Sequence, residues 1–421
     1  MRLATTLAIV LPITAAAADW PQYRGPNRDG AATGFTAPAE WPKQPPAKWS
    51  FKVGSTDATP ALVGDKLYVF ARDNGEEATT CLSAADGKVI WQDKYPAGVS
   101  ANGPAGGHPG PRACPAVADG KVVTLGLGAV LSCLDAGTGK VVWRKKPGED
   151  LPRGYPGFYT ASSPIIVDGM AIAQVGGGGG GRGGPGGGGG GGGGNTACVI
   201  ALDLATGAEK WKAATDGTGY ASPALLTVGD SKQIVFQTGR SLAAVSATDG
   251  KALWKVATPP NGRAYNALSP IVLGDVVIYT GGSTGVKAFK VEKTADGFAA
   301  KDHWVNDQFG SNFSTPVVKN DRVYGIAERG TLFCLNAKDG KALWNKPGVA
   351  NGGYGWVVDA GPVLAVLNSR CDLTVFKDSA AAFEQVAQFR AGDGQTYAAP
   401  IFTPGRIYVT EQGEVTALGL E

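Results

Sequence analysis

One phrase recurs along this chain and limits what it can fold into. Residues 134–143 read LDAGTGKVVW: an apolar residue, a polar turn closing on Thr138-Gly139, then a lysine and two β-branched residues leading into Trp143. That order is tight-hairpin chemistry, in which Asp and Thr side chains bond the turn's own backbone and Gly takes a positive φ. The phrase returns as SAADGKVIW at 83–91, DLATGAEKW at 203–211, SATDGKALW at 246–254 and NAKDGKALW at 336–344. A degraded copy, EKTADGFAAKDHW, ends at Trp304. A second phrase, a small residue and proline before an apolar run, recurs at Pro60, Pro115, Pro164, Pro223, Pro270, Pro316, Pro362 and Pro400. These prolines stand 38 to 59 residues apart, a period that with several short strands per unit signifies a propeller or solenoid.

Each unit reads as four strands; in the second they fall at 113–118, 121–125, 129–134 and 140–144. The ends of the chain complement one another. The segment 48–53, KWSFKV, is a strand with Trp49 where the repeats put their tryptophan, yet it has no hairpin partner of its own. At the other end, 397–418 supplies a proline phrase and two strands but stops before any tryptophan. Pairing the two completes the last sheet and removes the exposed edges an open array would leave. The expected fold is all-β: an eight-bladed β-propeller of four-stranded antiparallel blades over 48–421, closed by the N-terminal strand. Only 379–387, in the seventh unit, carries a helical alternative.

The first residues read as a secretory signal peptide, 1–18, with a small-residue cleavage site ending at Ala18. They imply an extracytoplasmic protein, periplasmic or secreted. An extended arm, 19–47, follows and contains WPQYRGPNRDG at 20–30. No later segment is apolar for the roughly 20 residues that span a bilayer. A net charge of +3 without a Lys/Arg block argues against a nucleic-acid surface. Cys81, Cys133 and Cys334 occupy equivalent repeat positions, which favours small buried strand residues over a disulfide framework; Cys114, Cys198 and Cys371 are scattered. Residues 176–194 are glycine at 17 of 19 positions, and such a run is expected to form a disordered insertion.

The proline phrase, paired strands and D-A-x-T-G-K-x-x-W motif resemble the repeat of the pyrroloquinoline-quinone-like (PQQ-like) propellers. That family includes BamB-type scaffold propellers and the quinoprotein dehydrogenases. The resemblance covers nearly the whole chain after residue 18, and the WPQY opening at 20–23 is similar to the arm of many members. It implies blade-docking roles for Trp49, Trp91, Trp143, Trp211, Trp254, Trp304 and Trp344. A quinoprotein dehydrogenase would also need a catalytic Asp, a Ca²⁺ site of Glu with Asn or Asp, and an Arg at the quinone. Its alcohol-oxidising branch adds a vicinal cysteine pair. This chain has no adjacent cysteines and is considerably shorter, so neither a catalytic residue nor a metal ligand is assigned and no cofactor is expected. PQQ with calcium remains the alternative. His108 and His303 read as surface groups.

Function is therefore sought where the repeats disagree. The connections that reach each innermost strand carry Arg112, Arg153, Tyr159, Tyr220, Arg263, Tyr265, Asn266, Asn312, Trp356 and Tyr397, with Phe313 and Tyr354 beside them. Their common place at one channel mouth predicts an aromatic, weakly basic site for a protein, peptide, glycan or planar-anion ligand on a monomeric scaffold. Reduced quinoprotein oxidoreductase and carbohydrate-binding propeller are the alternatives.

Overall fold

The computed structural model describes residues 19–99, 106–177, 197–259, 266–281 and 284–421. The signal-peptide expectation and all of the glycine run beyond Gly177 lie outside the described residues. Eight four-stranded antiparallel sheets form the eight blades of a propeller. In chain order the first seven occupy residues 61–96, 116–145, 165–214, 224–257, 271–306, 317–346 and 355–390. The eighth joins 401–419 to the N-terminal strand Ala47–Gly54, which pairs antiparallel with Gly413–Gly419, Phe51 opposite Val415. The ring thus closes on a pairing of the two chain ends.

The phrase that opened the sequence builds both halves of the joint between blades. In each outer hairpin Asp or Asn stabilises the turn, as where Asp135 Oδ1 accepts from Thr138 N at 2.9 Å and from its hydroxyl at 2.8 Å. The turn glycines Gly87, Gly139, Gly207, Gly250 and Gly340 have φ near +70°. Each carries the indole of the preceding blade against its bare Cα: Trp49, Trp91, Trp143, Trp211 and Trp304, in that order. Each indole then donates to the carbonyl of the residue just after the phrase's first Asp, Ser or Asn. Trp91 Nε1 reaches Ala136 O at 3.0 Å, Trp143 reaches Leu204 at 3.0 Å and Trp211 reaches Ala247 at 3.0 Å. Trp304 reaches Ala337 at 2.9 Å, and Trp49 reaches Ala84 at 3.1 Å, carrying the pattern across the closure. The three equivalent cysteines sit opposite the tryptophans in register, Cys81 with Trp91, Cys133 with Trp143 and Cys334 with Trp344. All six cysteines are free and buried. Desolvation pushes the Cys81, Cys133, Cys334 and Cys371 thiols up to about 12 and Cys198 to about 11.

Where the phrase decays, the joint changes. Blade five has long outer strands in place of the Asp-Gly-Lys turn, and Trp254 Nε1 turns back to Gln233 Oε1 of its own blade at 2.7 Å. Blade seven has no such turn either. Trp344 donates to Ser379 O at 2.9 Å, and Asp378 beside it binds Arg322 Nε at 2.7 Å and Tyr324 OH at 2.6 Å. Burial pushes the Asp378 carboxyl up, but the bonds from Arg322 and Tyr324 outweigh it and hold it at about 2. The helical alternative at 379–387 is not adopted: residues 377–384 are a loop and Gln385–Arg390 is the outer strand. Phe376 and Phe383 pack there around Trp344, so tertiary contact decides that segment. Pro362 also departs from expectation. It sits in the first hairpin turn of blade seven, because the innermost strand is Gly355–Asp359; Gly361-Pro362 suits a turn as well as a strand entry, Gly361 having φ +76°.

The proline phrase forms a belt around the channel. Proline holds the residue before it extended, so successive small residues face across the blades. Cys114 N donates to Ser163 Oγ at 2.8 Å, Ser163 N to Ser222 Oγ at 2.9 Å and Ser222 N to Ser269 Oγ at 2.9 Å. Ser269 N continues to Thr315 Oγ1 at 3.2 Å, and Ala399 N meets Thr59 Oγ1 at 2.7 Å.

The arm runs through the channel inside this belt. Trp20, 1% exposed, exchanges backbone hydrogen bonds with Leu62, and Pro21 O accepts from Val117 N at 2.8 Å. Arg24 donates to the carbonyls of Thr315 at 2.8 Å and Pro316 at 2.6 Å in blade six. Arg28 donates to those of Pro164 at 3.0 Å and Ser163 at 3.3 Å in blade three. Neither guanidinium has a carboxylate partner among the described residues. Burial lowers the pKa of both, Arg28 to about 10. Further along, Phe35 packs edge-on against Phe402 and Trp41 stacks on Phe389, filling the seam between blades seven and eight.

Two substitutions separate the parts of the blade joint. Gly229 has φ +58° with open space around it, whereas Gly250 has φ +72° with Trp211 placed 2.6 Å from a built Cβ. Gly229→Ala is expected to cost the left-handed strain alone, about 1–2 kcal/mol. Gly250→Ala adds a steric conflict of about 1–3 kcal/mol, so its urea midpoint falls further; equal losses would refute the glycine's packing role. Arg24→Ala should destabilise by about 1–3 kcal/mol for each carbonyl it strands. Faster hydrogen exchange at Ala32 and Asp359, which pair across the arm, is the local readout.

Candidate functional site

At the mouth above the arm the connections enclose a cup of about 340 Å³. Its lining holds Arg112, Tyr220, Trp356 and Tyr397 from the expected set, together with Phe158, Phe313 and Tyr354. Phe313 and Tyr354 stack face to face at 4.3 Å with planes 5° apart. Tyr354 meets Tyr397 edge-on at 5.3 Å, and Trp356 Nε1 donates to Tyr397 O at 2.7 Å. Across the cup Tyr220 OH accepts from Phe158 N at 3.2 Å. Desolvation raises the Tyr220 and Tyr397 hydroxyls above their ordinary values, with Arg112 opposing it at Tyr220 and Asp57 adding to it at Tyr397.

The other expected residues fall elsewhere. Arg153 lies against Gly148, and Tyr159 stacks on Tyr155 at 5.4 Å. Asn312 adjoins the lining residue Phe313, and its buried Oδ1 has no partner among the described residues. Asn266 is committed to the fold. Its Nδ2 donates to Thr238 O at 3.1 Å and Thr258 O at 3.0 Å, and its Oδ1 accepts from Tyr279 OH at 3.0 Å. Arg263 and Tyr265 lie outside the described residues.

Three lining residues carried no repeat signal. Tyr23 comes from the arm: its hydroxyl accepts from Ser269 Oγ at 3.1 Å, its ring meets Trp356 edge-on at 5.9 Å, and Arg28 lies 5.3 Å from its centroid. Tyr23 thus joins the floor of the cup to the arm. His108, read from its Gly/Pro loop as a surface group, lines the wall instead; His303 is exposed. His108 Nδ1 lies 2.7 Å from Asp57 Oδ2, and its ring meets Tyr397 edge-on at 4.6 Å. Asp57 is anchored in turn by Gln412 Nε2 at 3.2 Å. Arg112 donates to His108 O at 2.9 Å and to Phe158 O, bracing both sides of the mouth.

Behind this wall Glu77, buried in blade one, accepts from Tyr95 OH at 2.6 Å and from Leu127 N at 2.7 Å. Leu127 O accepts from Thr160 N at 3.1 Å, so Glu77 braces the loop that carries Phe158. Gly126 is required beside it, because a side chain there would collide with the carboxyl. Desolvation raises the Glu77 pKa above its ordinary value, partly offset by the two donors and by Arg72. A carboxyl with a raised folded pKa binds its proton more tightly in the native state. Its stabilising contribution is full below the unfolded pKa and is lost as pH rises through the folded value. Glu77→Gln keeps the shape without the titration, so its stability relative to the parent is expected to improve as pH is raised from 4 to 8. A difference in urea midpoint that does not change with pH would refute this.

The lining residues put aromatic rings beside the hydrogen-bonded Asp57–His108 pair, with the arm below: the form of a ligand cleft. The family model described as outer membrane protein assembly factor BamB matches residues 41–184 and 179–417. Outer membrane protein assembly factor BamB of Xanthomonas campestris pv. campestris is 26% identical over 361 residues, 75% of this chain and 83% of that protein. Among solved structures, BamB from Moraxella catarrhalis aligns with a TM-score of 0.61 at 16% identity, over 88% of this chain and 96% of its own. Quinohemoprotein alcohol dehydrogenase from Comamonas testosteroni aligns at 0.66 and 16% identity, over 97% and 81%. At these identities the solved structures attest the fold alone. With the family model spanning nearly all eight blades, the chain belongs to the PQQ-like propeller family described as outer membrane protein assembly factor BamB.

Proposed function

We propose that this chain is a non-catalytic binding module of the extracytoplasmic space, a scaffold propeller that engages its partner through the cup. The observation that carries this reading is the composition of the cup's lining. Aromatic surface dominates it, and the one acidic side chain among its described residues, Asp57, is bonded to His108 and Gln412. The family's description and the relatives named as assembly factors support the scaffold role. The expected leader at 1–18 supports the compartment.

A quinone cofactor would make different demands on the same residues. Phe313 and Tyr354 stack face to face in the cup, but the metal that activates the quinone in the dehydrogenases needs a set of oxygen ligands. No group of three or more His, Cys, Asp or Glu side chains comes together among the described residues. Cys114, the cysteine on the belt, is buried and free. The one carboxylate among the cup's described residues, Asp57, is already bonded to His108 and Gln412, so the donor set does not fit a calcium-bound quinone.

Incubating the purified protein with PQQ and Ca²⁺, desalting it and recording its spectrum tests the proposal. The expected result is no retained quinone and no dye reduction with alcohols or sugars. Retained quinone with substrate-dependent dye reduction would make the chain an oxidoreductase instead. A photoreactive phenylalanine analogue at position 313 provides the positive arm. It should capture a partner that the same analogue at position 209, on the outer edge of blade three, does not.

A further inference from the structure

We propose that a second pocket, in the joint between blades four and five, binds a small zwitterion carrying a carboxylate and an ammonium group, as a free α-amino acid does. It shares no lining residue with the cup and stands apart from the reading given to the cup. In each blade with an outer tryptophan, one residue of the third strand lies opposite the indole, and the residue before it turns towards the preceding blade. Those positions hold Thr80, Ser132, Ile200, Ala243, Phe333 and Thr416, all uncharged and buried. In blade five, where Ala288 lies opposite Trp304, the position holds Lys287. Its strand neighbours show which way it faces: Val286 and Ala288 pack with blade six, while Phe289 and Val291 pack with blade four.

The repeat does not call for a charge there. An ammonium drawn out of bulk water is disfavoured unless it is paired, yet half-buried Lys287 has no hydrogen-bond or ion-pair partner among the described residues. It lines instead a cavity of about 380 Å³. Ala257 and Pro259, at the end of the outer strand of blade four, form one side, and Tyr279, Phe289 and Asp307 contribute from blade five. This is also the joint in which Trp254 bonds within its own blade.

Asp307 stands exposed just beyond the outer strand of blade five, and it too has no partner among the described residues. Two opposite charges therefore line one cavity without pairing with each other, and this selects among ligands. A simple anion would gain Lys287 but meet Asp307, and a simple cation would do the reverse. A zwitterion satisfies both, its carboxylate accepting from Lys287 and its ammonium donating to Asp307 in charge-assisted hydrogen bonds. Ala257, Pro259 and Phe289 give the rest of the lining apolar surface for the remaining substituent. The volume lies within the roughly 300–1,000 Å³ of small-molecule clefts, which likewise set a few polar groups in an apolar lining.

The test titrates the full chain by calorimetry with the common L-amino acids. At least one is expected to bind, roughly tenfold or more tightly than its deaminated carboxylate or its amide, each of which lacks one charge. Lys287→Met, which puts an uncharged side chain where the other blades have one, should weaken that binding roughly tenfold or more. Lys287→Arg keeps the charge, should retain binding and guards against a folding defect in the methionine variant. Asp307→Asn should abolish the preference for the amino acid over its deaminated carboxylate, and Glu209→Ala on the outer edge of blade three should change nothing. If no amino acid binds, or if binding survives Lys287→Met, the proposal is overturned. Equal affinity of the parent chain for the amino acid and its deaminated carboxylate would overturn the zwitterion assignment. None of these results bears on the cup, which photocapture at position 313 reports separately.

Discussion

The ring depends on one contact, an indole lying on a glycine. A four-stranded blade cannot bury its faces alone, so its stability comes from its neighbours. The phrase solves this by making each outer hairpin a plug and a socket at once. Its tryptophan reaches forward to the next blade, while its glycine receives the indole from behind. The glycine is required twice over, by the positive φ of the turn and by the absence of a Cβ under the ring. The tryptophan is required for its area and for the N–H that satisfies a turn carbonyl. Because both halves lie within one phrase, copying the phrase copies the interface, and the pattern can run across the closure from Trp49 to Ala84.

The joints that lack this contact show what else can hold a blade. Between six and seven, Asp378 gathers Arg322 and Tyr324 into a charged clamp around Trp344. Between seven and eight, where no outer-strand tryptophan exists, Phe35 and Trp41 of the arm supply the rings. The same arm sends Arg24 and Arg28 to the carbonyls of blades six and three. Two cations buried without a carboxylate partner among the described residues are costly, and only a dense set of backbone oxygens makes them tolerable. The channel, where eight strands begin side by side, is such a place.

The cup follows from the same arrangement. The belt of small residues brings the connections to a common level, and the arm puts Tyr23 beneath them. What the fold leaves open is a shallow volume lined both by aromatic rings and by the Asp57–His108–Arg112 edge, with His108 meeting Tyr397. The lining is a property of connections rather than of blades, which is why the repeated tryptophans contribute to architecture and not to the cup.

Some of this was legible in the residues. Turn chemistry and the 38- to 59-residue period are local, so they announced four-stranded units, their number and closure by Trp49 and its strand. The rule that connections gather at one mouth brought Arg112, Tyr220, Trp356 and Tyr397 together. It misplaced Asn266, which hydrogen bonds to Thr238, Thr258 and Tyr279 had already claimed. It passed over His108 and Asp57, whose significance lies in a 2.7 Å contact between residues 51 positions apart. Pro362 and 379–387 were ambiguous because each suits two local conformations, and only the packing of blade seven chose between them. By itself the sequence determined the blade, its count and its joint, because periodic hydrophobicity and turn geometry act over a few residues. The tertiary structure alone decided the course of the arm and the chemistry of the cup, because those depend on which side chains from distant blades arrive at the same few ångströms.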